Sequence, residues 1–463
     1  MSRAVWKLAW PTMLQNMIGG LQGVIDHVMV GHFVGYTGNA AIGVSWQIFL
    51  VVFVFIASLY TGMGVLVARF AGADDSERVN RVVHQAFLTS VALALLVVAP
   101  VGYFAAPSLL VLVNAAPEVQ AEALPYLRIM FTFCSGMLVF FMLGGALRAA
   151  GDARTPLRLG VMMTALNIVF NVILIRGLGP VPAFGTQGAA MGTVMASALA
   201  SGFGLWLLAT GTLVVRPPRP LSMRPEWHVI SQLFTFGLPA GLQGVAMNVA
   251  GVLLLRFIGS LPRSAEAQAA YAVGYTELFT FLTWTSVGLM GATAAVAGQN
   301  LGAGRPDRAF DAPKVAARIG LLIAGVLGAA FVFVPRVLLG LFGMTDPAVL
   351  DLGTELLRYL AVSGFFVTVA LVYTGALQGT GDTRSPLYIS IVSQIGVPLG
   401  VCWGLQSTVG LTSVHIWSAI VLGHFTRCVL TVWRFRQGHW RDIHVDVGPA
   451  RAEVRESSAG GNG

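Results

Sequence analysis

The 463-residue chain is 56% hydrophobic and 10% charged, with a formal net charge of +8 and a mean hydropathy of +0.76. A water-soluble domain carries roughly a quarter charged residues, so the composition excludes a soluble enzyme and makes lipid the solvent for most of the surface. The basic residues lie between apolar runs rather than along one face, which excludes nucleic acid as a partner and fits the bias of Lys and Arg toward one side of a membrane.

Apolar runs of about 20 residues predict membrane-spanning helices. Twelve are read, at 8–31, 40–68, 82–106, 124–147, 157–176, 186–212, 231–259, 268–297, 315–340, 355–379, 386–407 and 411–433. They lack the period-two alternation of barrel strands. The expected fold class is an all-α integral membrane protein of twelve transmembrane helices. Residues 1–7 are too short for a cleavable leader, and none is expected. Cys134, Cys402 and Cys428 are far apart in apolar segments and are expected to be buried small hydrophobes, with no metal site.

The first span holds Gln15, Gly19, Gln22 and Asp26 at spacings that share one helix face, with Pro11 near its start. An acid inside the hydrocarbon is expensive, ~2.5–3.5 kcal/mol on insertion scales, and a sequence keeps one where it works. Burial makes Asp26 a candidate proton carrier. His27 points about 100° away and is expected to pack locally. In the fifth span Asn167 and Asn171 share a face, placed either to bond Asp26 or an ion, or to act as glue between helices. Glu277, in the eighth span, is the second intramembrane acid. It is expected to hold a cationic compound or a second proton, or else to partner Gln243 or Asn248. Met137 and Phe140 in the fourth span, with Phe279 and Trp284 in the eighth, supply adaptable and aromatic surfaces of the kind that attract organic cations.

Basic residues cluster at alternate connections, at Arg69, Arg78 and Arg81, at Arg148, Arg154 and Arg158, at Arg216, Arg219 and Arg224, at Arg305, Arg308, Lys314 and Arg318, and at Arg384. Both termini are therefore expected in the cytoplasm of a multi-pass protein of the cell's inner (plasma) membrane. Residues 145–156, GALRAAGDARTP, return as GALQGTGDTRSP at 375–386, an offset of 230. Pro11 and Gln15 pair with Pro239 and Gln243 at an offset of 228. The chain is a duplication of six spans, and an even number gives a parallel repeat about an axis along the membrane normal. The expected division is an N-terminal six-helix lobe at 1–212, a linker at 213–230, a C-terminal lobe at 231–436 and a polar, disordered tail at 437–463. Asp152 with Arg154, and Asp382 with Arg384, are expected to fix the two repeated turns as charge pairs.

These stretches, with WPTMLQNMIGGLQGVIDHVMVGHFVG at the start, GTQGAAMGT opening the sixth span and VAGQNLGAGRPDRA after the eighth, resemble the multidrug and toxic compound extrusion (MATE) family over almost the whole chain. The resemblance implies two lobes in a V, alternating access, and export of organic cations or drugs driven by H+ or Na+. It identifies Asp26 with the acid of the first span in bacterial members, brings Thr193 into the ion-coupling set with Asn167 and Asn171, and matches Glu277 to an acid of the eighth span. The chain departs from the family at Met247, where many relatives have Glu, and at Asn171, where many have Asp. The expected function is secondary active export in exchange for H+, with Na+ second, by a monomer that has no cofactor and is not an enzyme. Ion coupling falls to Asp26, Asn167, Asn171 and Thr193, and substrate contact to Glu277, Gln22, Met137, Phe140, Phe279 and Trp284. The alternative is a lipid-linked precursor flippase of related fold, which would favour a strongly basic cavity.

Overall fold

The computed structural model describes residues 1–113, 115–216 and 223–447, with the side chains of 50–57 set aside. Among these residues there is no strand. Twelve long helices follow one another: α1 Ser2–Phe33, α2 Tyr36–Gly72, α3 Ser76–Leu112, α4 in the two pieces Pro117–Thr132 and Ser135–Ala149, α5 Arg154–Arg176, α6 Thr186–Ala209, α7 Trp227–Gly259, α8 Ser264–Gly302, α9 Pro306–Phe333, α10 Pro347–Thr380, α11 Arg384–Thr408 and α12 Ser413–Arg436. Nine are long and apolar enough to cross a membrane, and α4 is a tenth when its pieces, meeting at 53°, count as one span. The polar stripe of α1 lowers its hydropathy, yet its 32 residues reach ~48 Å. α2 has 37 residues. The twelve helices answer to the twelve expected spans. Three of them are widened by an i→i+5 turn, α3 at Ala94–Val98, α8 at Ala272–Leu278 and α11 at Ile391–Gly396, a local change often found at functional positions.

The repeated turn is the same structure twice. After α4, Gly151 takes φ 100, its N–H donates to Arg148 O at 3.0 Å, and Asp152 N–H donates to Leu147 O at 2.8 Å. After α10, Gly381 takes φ 103, with bonds to Gln378 O at 3.0 Å and from Asp382 N–H to Leu377 O at 2.9 Å. This glycine-dependent ending satisfies the last carbonyls of one helix, and the aspartate then opens the next. Asp152 accepts from the N–H groups of Arg154 and Thr155 at 3.0 and 3.1 Å, and Asp382 accepts from Ser385 N–H at 3.1 Å. The expected local charge pairs differ from what forms. Asp152 binds the backbone of Arg154 and the hydroxyl of Thr155, while Asp382 pairs with Arg434 at 3.0 Å rather than with Arg384. A carboxylate at a helix start is better used by free backbone N–H groups than by a flexible neighbouring guanidinium.

The chain forms two compact units, a C-terminal one of Met1–Met17 with Pro239–Ile443, and an N-terminal one of Ile18–Leu238 joined by the residues from His444. The start of α1 thus belongs with the second half of the chain and the start of α7 with the first, an exchange absent from the division at 213–230. Both helices carry an internal proline near the exchange, Pro11 and Pro239. Glycines make the exchanged pieces fit. A Cβ on Gly288 of α8 would lie 2.7 Å from the backbone of Met13, and one on Gly237 of α7 would lie 1.8 Å from Ser58 O of α2. Small residues of this kind let membrane helices approach to backbone contact.

The described part of the linker is tied to α3. Arg81 pairs with Glu226 at 2.5 Å, Gln85 donates to Arg224 O at 3.1 Å, and Arg216 N–H donates to Asn80 at 2.8 Å; Arg219 lies outside the described residues. The tail begins ordered, contrary to expectation. Trp440 is fully buried, stacks on Phe435 at 5.0 Å and donates its indole N–H to Phe435 O at 2.8 Å. One large aromatic ring with its N–H satisfied is enough to hold a polar segment. Residues 448–463 lie outside the described residues.

Gly237→Ala is expected to destabilise the protein by about 1–3 kcal/mol through overpacking against Ser58 O, read as a lower melting temperature in detergent. Gly244→Ala, where a Cβ meets nothing, is the matched control and should melt within a degree or two of the wild type. Equal loss in both would show that the close α2–α7 approach is not what Gly237 serves.

Candidate functional site

The polar residues of the N-terminal unit converge on Asp26. Its Oδ1 accepts from Asn171 Nδ2 at 2.6 Å, and the same amide nitrogen donates to Asn167 Oδ1 at 3.3 Å. Asn167 Nδ2 donates to Thr193 Oγ1 at 3.1 Å, and the Thr193 hydroxyl donates to Ala189 O at 3.0 Å. One continuous chain of hydrogen bonds therefore joins α1, α5 and α6. Asn167 and Asn171 are wholly buried, while Asp26 and Thr193 are half-buried. Of the α1 stripe, Gln22 is held in the same unit by Thr164 Oγ1 at 3.0 Å, whereas Gln15 lies in the piece that joins the C-terminal unit.

The local fold explains the convergence. Thr164, Asn167 and Asn171 recur at three and four residues and so form a polar edge on α5. The bonded pairs, Gln22 with Thr164 and Asp26 with Asn171, advance together along both helices. On the other side α6 presents Gly188, Gly192 and Ala196. A Cβ on Gly188 would lie 2.5 Å from Leu174 O, and one on Gly192 would lie 2.2 Å from Asn171 Oδ1. That close approach brings Thr193 to Asn167. It also leaves Asn171 Oδ1 buried against Gly192 with no hydrogen-bond partner. Tyr126, buried in α4, lies within electrostatic range of Asp26.

The residues singled out for substrate contact are divided between the two units. Met137 and Phe140 are buried within the N-terminal unit, and Phe279 within the C-terminal unit. Phe279 continues an aromatic column in which Tyr271 and Tyr275 stack at 4.9 Å, Tyr275 and Phe279 meet at 5.5 Å, and His424 stacks on Phe279 at 5.9 Å. Trp284 is half-buried, edge-on to Phe281, and its carbonyl accepts from Asn16 at 3.4 Å. Glu277 is exposed in the widened turn of α8. Gln243 bonds Ser390 and Gln378, and Asn248 bonds Gly244 O, so neither is its partner. His27 bonds Asn39 of α2 and plays the local part expected of it.

Three contributors were missed in the sequence. Thr164 shares the α5 face three residues before Asn167, and helical spacing alone would have found it. Gly192 immediately precedes Thr193, but its close approach is a property of two packed helices. Tyr126 carries no sequence signal that ties it to Asp26. Among the described residues no group of three or more His, Cys, Asp or Glu side chains is placed to hold a metal ion.

The comparisons with known proteins come to the same place. The MatE family model matches residues 11–173 and 239–403, once for each half of the duplication. The chain is 25% identical over 448 residues, 94% of its length and 92% of the relative's, to a probable multidrug resistance protein NorM of Thermotoga maritima. It is 26% identical over 453 residues, 94% and 95% of the two lengths, to the multidrug resistance protein MdtK of Pectobacterium atrosepticum. A solved MOP superfamily transporter from Pyrococcus furiosus superposes with a TM-score of 0.87 at 22% identity, covering 96% of this chain and 97% of that one. A MATE structure in a bent conformation superposes with a TM-score of 0.85 at 23% identity, covering 95% and 96%. Two matched halves spanning most of the chain, in a twelve-helix membrane fold, mean that the protein belongs to the MATE family of membrane transporters.

Proposed function

We propose that the protein exports organic, often cationic, compounds across the plasma membrane in exchange for inward-moving H+, with Asp26 as the proton carrier. The observation that carries this reading is the hydrogen-bonded chain Asp26–Asn171–Asn167–Thr193 within one unit, with its two asparagines wholly buried. An ionisable group at membrane depth is costly and is kept where it does work. The group that reaches Asp26 is an amide N–H, which stabilises a carboxylate. A protonated Asp26 instead needs an acceptor, and Asn171 Oδ1 is a buried acceptor without a partner. Rotation of the Asn171 amide would exchange one bond for the other and pass the change to Asn167 and Thr193. Proton uptake would then be felt by α5 and α6 as well as by α1. The relatives named as multidrug resistance proteins support drug-like compounds as the cargo.

In this reading Glu277, Trp284 and Gln22 are the accessible members of the substrate set, and Glu277 supplies negative charge toward a cationic compound. Met137, Phe140 and Phe279 act by shaping the units from within. The two compact units, each including the start of the other half's first helix, are the bodies that alternate between the two faces, and both termini lie in the cytoplasm. Na+ is the second choice of ion, because Asp26 is the one carboxylate of the hydrogen-bonded set.

The deciding experiment is efflux of a fluorescent organic cation from vesicles carrying the full chain, under an imposed pH gradient and then a Na+ gradient. Efflux driven by the pH gradient, and lost in Asp26→Asn, is expected. Drive by Na+ alone would overturn the choice of ion, and no efflux of any cation would bring the lipid-linked precursor flippase forward. Gly192→Ala forces Asn171 to move and is expected to lower pH-driven efflux at least tenfold while leaving the protein folded; unaltered efflux would detach the amide chain from coupling. Glu277→Gln should raise the KM for a cationic compound by about tenfold, a loss of ~1.4 kcal/mol. The KM for an uncharged compound should be unchanged, and an equal rise for both would remove Glu277 from cation recognition.

A further inference from the structure

The C-terminal unit holds a buried charge that the coupling scheme does not use. Arg427 lies in the middle of α12, fourteen residues after Ser413 and nine before Arg436, and is 5% exposed. A charge at this depth costs at least ~2.5–3.5 kcal/mol on insertion scales, and such groups are normally matched by a carboxylate. The salt bridges of this unit go elsewhere, joining Lys314 to Asp311, Arg336 to Asp351 and Arg434 to Asp382. Among the described residues Arg427 forms no salt bridge, lies over no aromatic ring at cation–π distance, and keeps its buried Nε without a hydrogen-bond partner.

Its surroundings are polar and neutral rather than acidic. His424 sits one turn earlier on α12, its Nδ1 3.1 Å from Ser363 Oγ of α10. Tyr275 interacts electrostatically with Arg427 and stacks on His424 at 6.4 Å. Tyr275 belongs to the widened turn of α8, where helix backbone departs from its regular path. The acid nearest to it in the chain, Glu277, is exposed and makes no ion pair with Arg427. A buried guanidinium within electrostatic range of an imidazole and a phenol, with no ion pair among the described residues, has the donor set of an anion site. One fixed positive charge suits a monovalent anion. A phosphate of higher charge would call for a second cation.

We propose that Arg427, with Tyr275 and His424, forms a site inside the C-terminal unit for a monovalent anion, either chloride or the carboxylate group of an organic compound. The site is separate in sequence and in chemistry from the Asp26 chain, and it stands or falls independently of proton coupling.

The test uses purified full-length protein in a sulfate buffer free of other anions, titrated with sodium chloride and with sodium benzoate. Tryptophan fluorescence, to which Trp417 contributes from its stack 6.3 Å from Tyr271, and melting temperature are followed together. Saturable responses are expected in the wild type, weakened at least tenfold in Arg427→Lys and abolished in Arg427→Gln. Chloride alone saturating would assign the site to an inorganic anion; benzoate saturating and displaced by chloride would assign it to a carboxylate. Tyr275→Phe, which keeps the stack and loses the hydroxyl, serves if Arg427→Gln fails to fold, and should weaken the response at least threefold. Absence of any saturable response in the wild type, or a response unchanged in Arg427→Gln or in Tyr275→Phe, overturns the proposal.

Discussion

A polar group inside hydrocarbon has no water to bond, so each must find its partner within the protein. Most of the described architecture answers to that constraint. The repeated turns spend their aspartates on free backbone N–H groups, and their glycines close off the last carbonyls of α4 and α10. Hydroxyls along the helices return to carbonyls a turn away, as Thr12, Thr293 and Thr431 do. Asn171 Oδ1 and Arg427 Nε are among the buried polar atoms that the fold leaves unbonded.

The second condition is close packing without a hydrophobic force between helices, since lipid tails are as apolar as leucine side chains. Association then depends on backbones that approach closely. Gly188 and Gly192 bring α6 onto α5, Gly288 brings α8 onto the start of α1, and Gly237 brings α7 onto α2. The same device that binds the helices also builds the site, because Gly192 sets the distance from Thr193 to Asn167. A residue larger than glycine there would fill the space into which Asn171 Oδ1 points.

The two halves of the duplication share the same frame but not the same chemistry. Gly151 and Gly381 take nearly the same backbone angle, and Asp152 and Asp382 make corresponding caps. Inside the frame, Asp26 is matched by Leu254, Asn167 by Val397 and Asn171 by Val401. The C-terminal unit has instead gathered Tyr271, Tyr275, Phe279, His424 and Trp417 into an aromatic column beside Arg427. One half thus carries a buried acid and the other a buried base.

Much of this was legible in the residues themselves. The number of spans follows from apolar run lengths, the duplication from GDARTP and GDTRSP, and the common face of Asn167 and Asn171 from helical spacing, because each depends on local order along the chain. The sequence also singled out Asp26, since an acid among apolar residues is conspicuous wherever it folds. What local order could not express is which helices meet. The exchange of the starts of α1 and α7, the ordering of Trp440, the pairing of Asp382 with Arg434 and the burial of Phe279 in a column with His424 all rest on contacts between distant segments. Nothing in the local order around Arg427 marks it as unpaired. Its isolation is visible in the fold, where it forms no salt bridge among the described residues, because whether a charge is paired is decided by three-dimensional neighbours and not by neighbours in the chain.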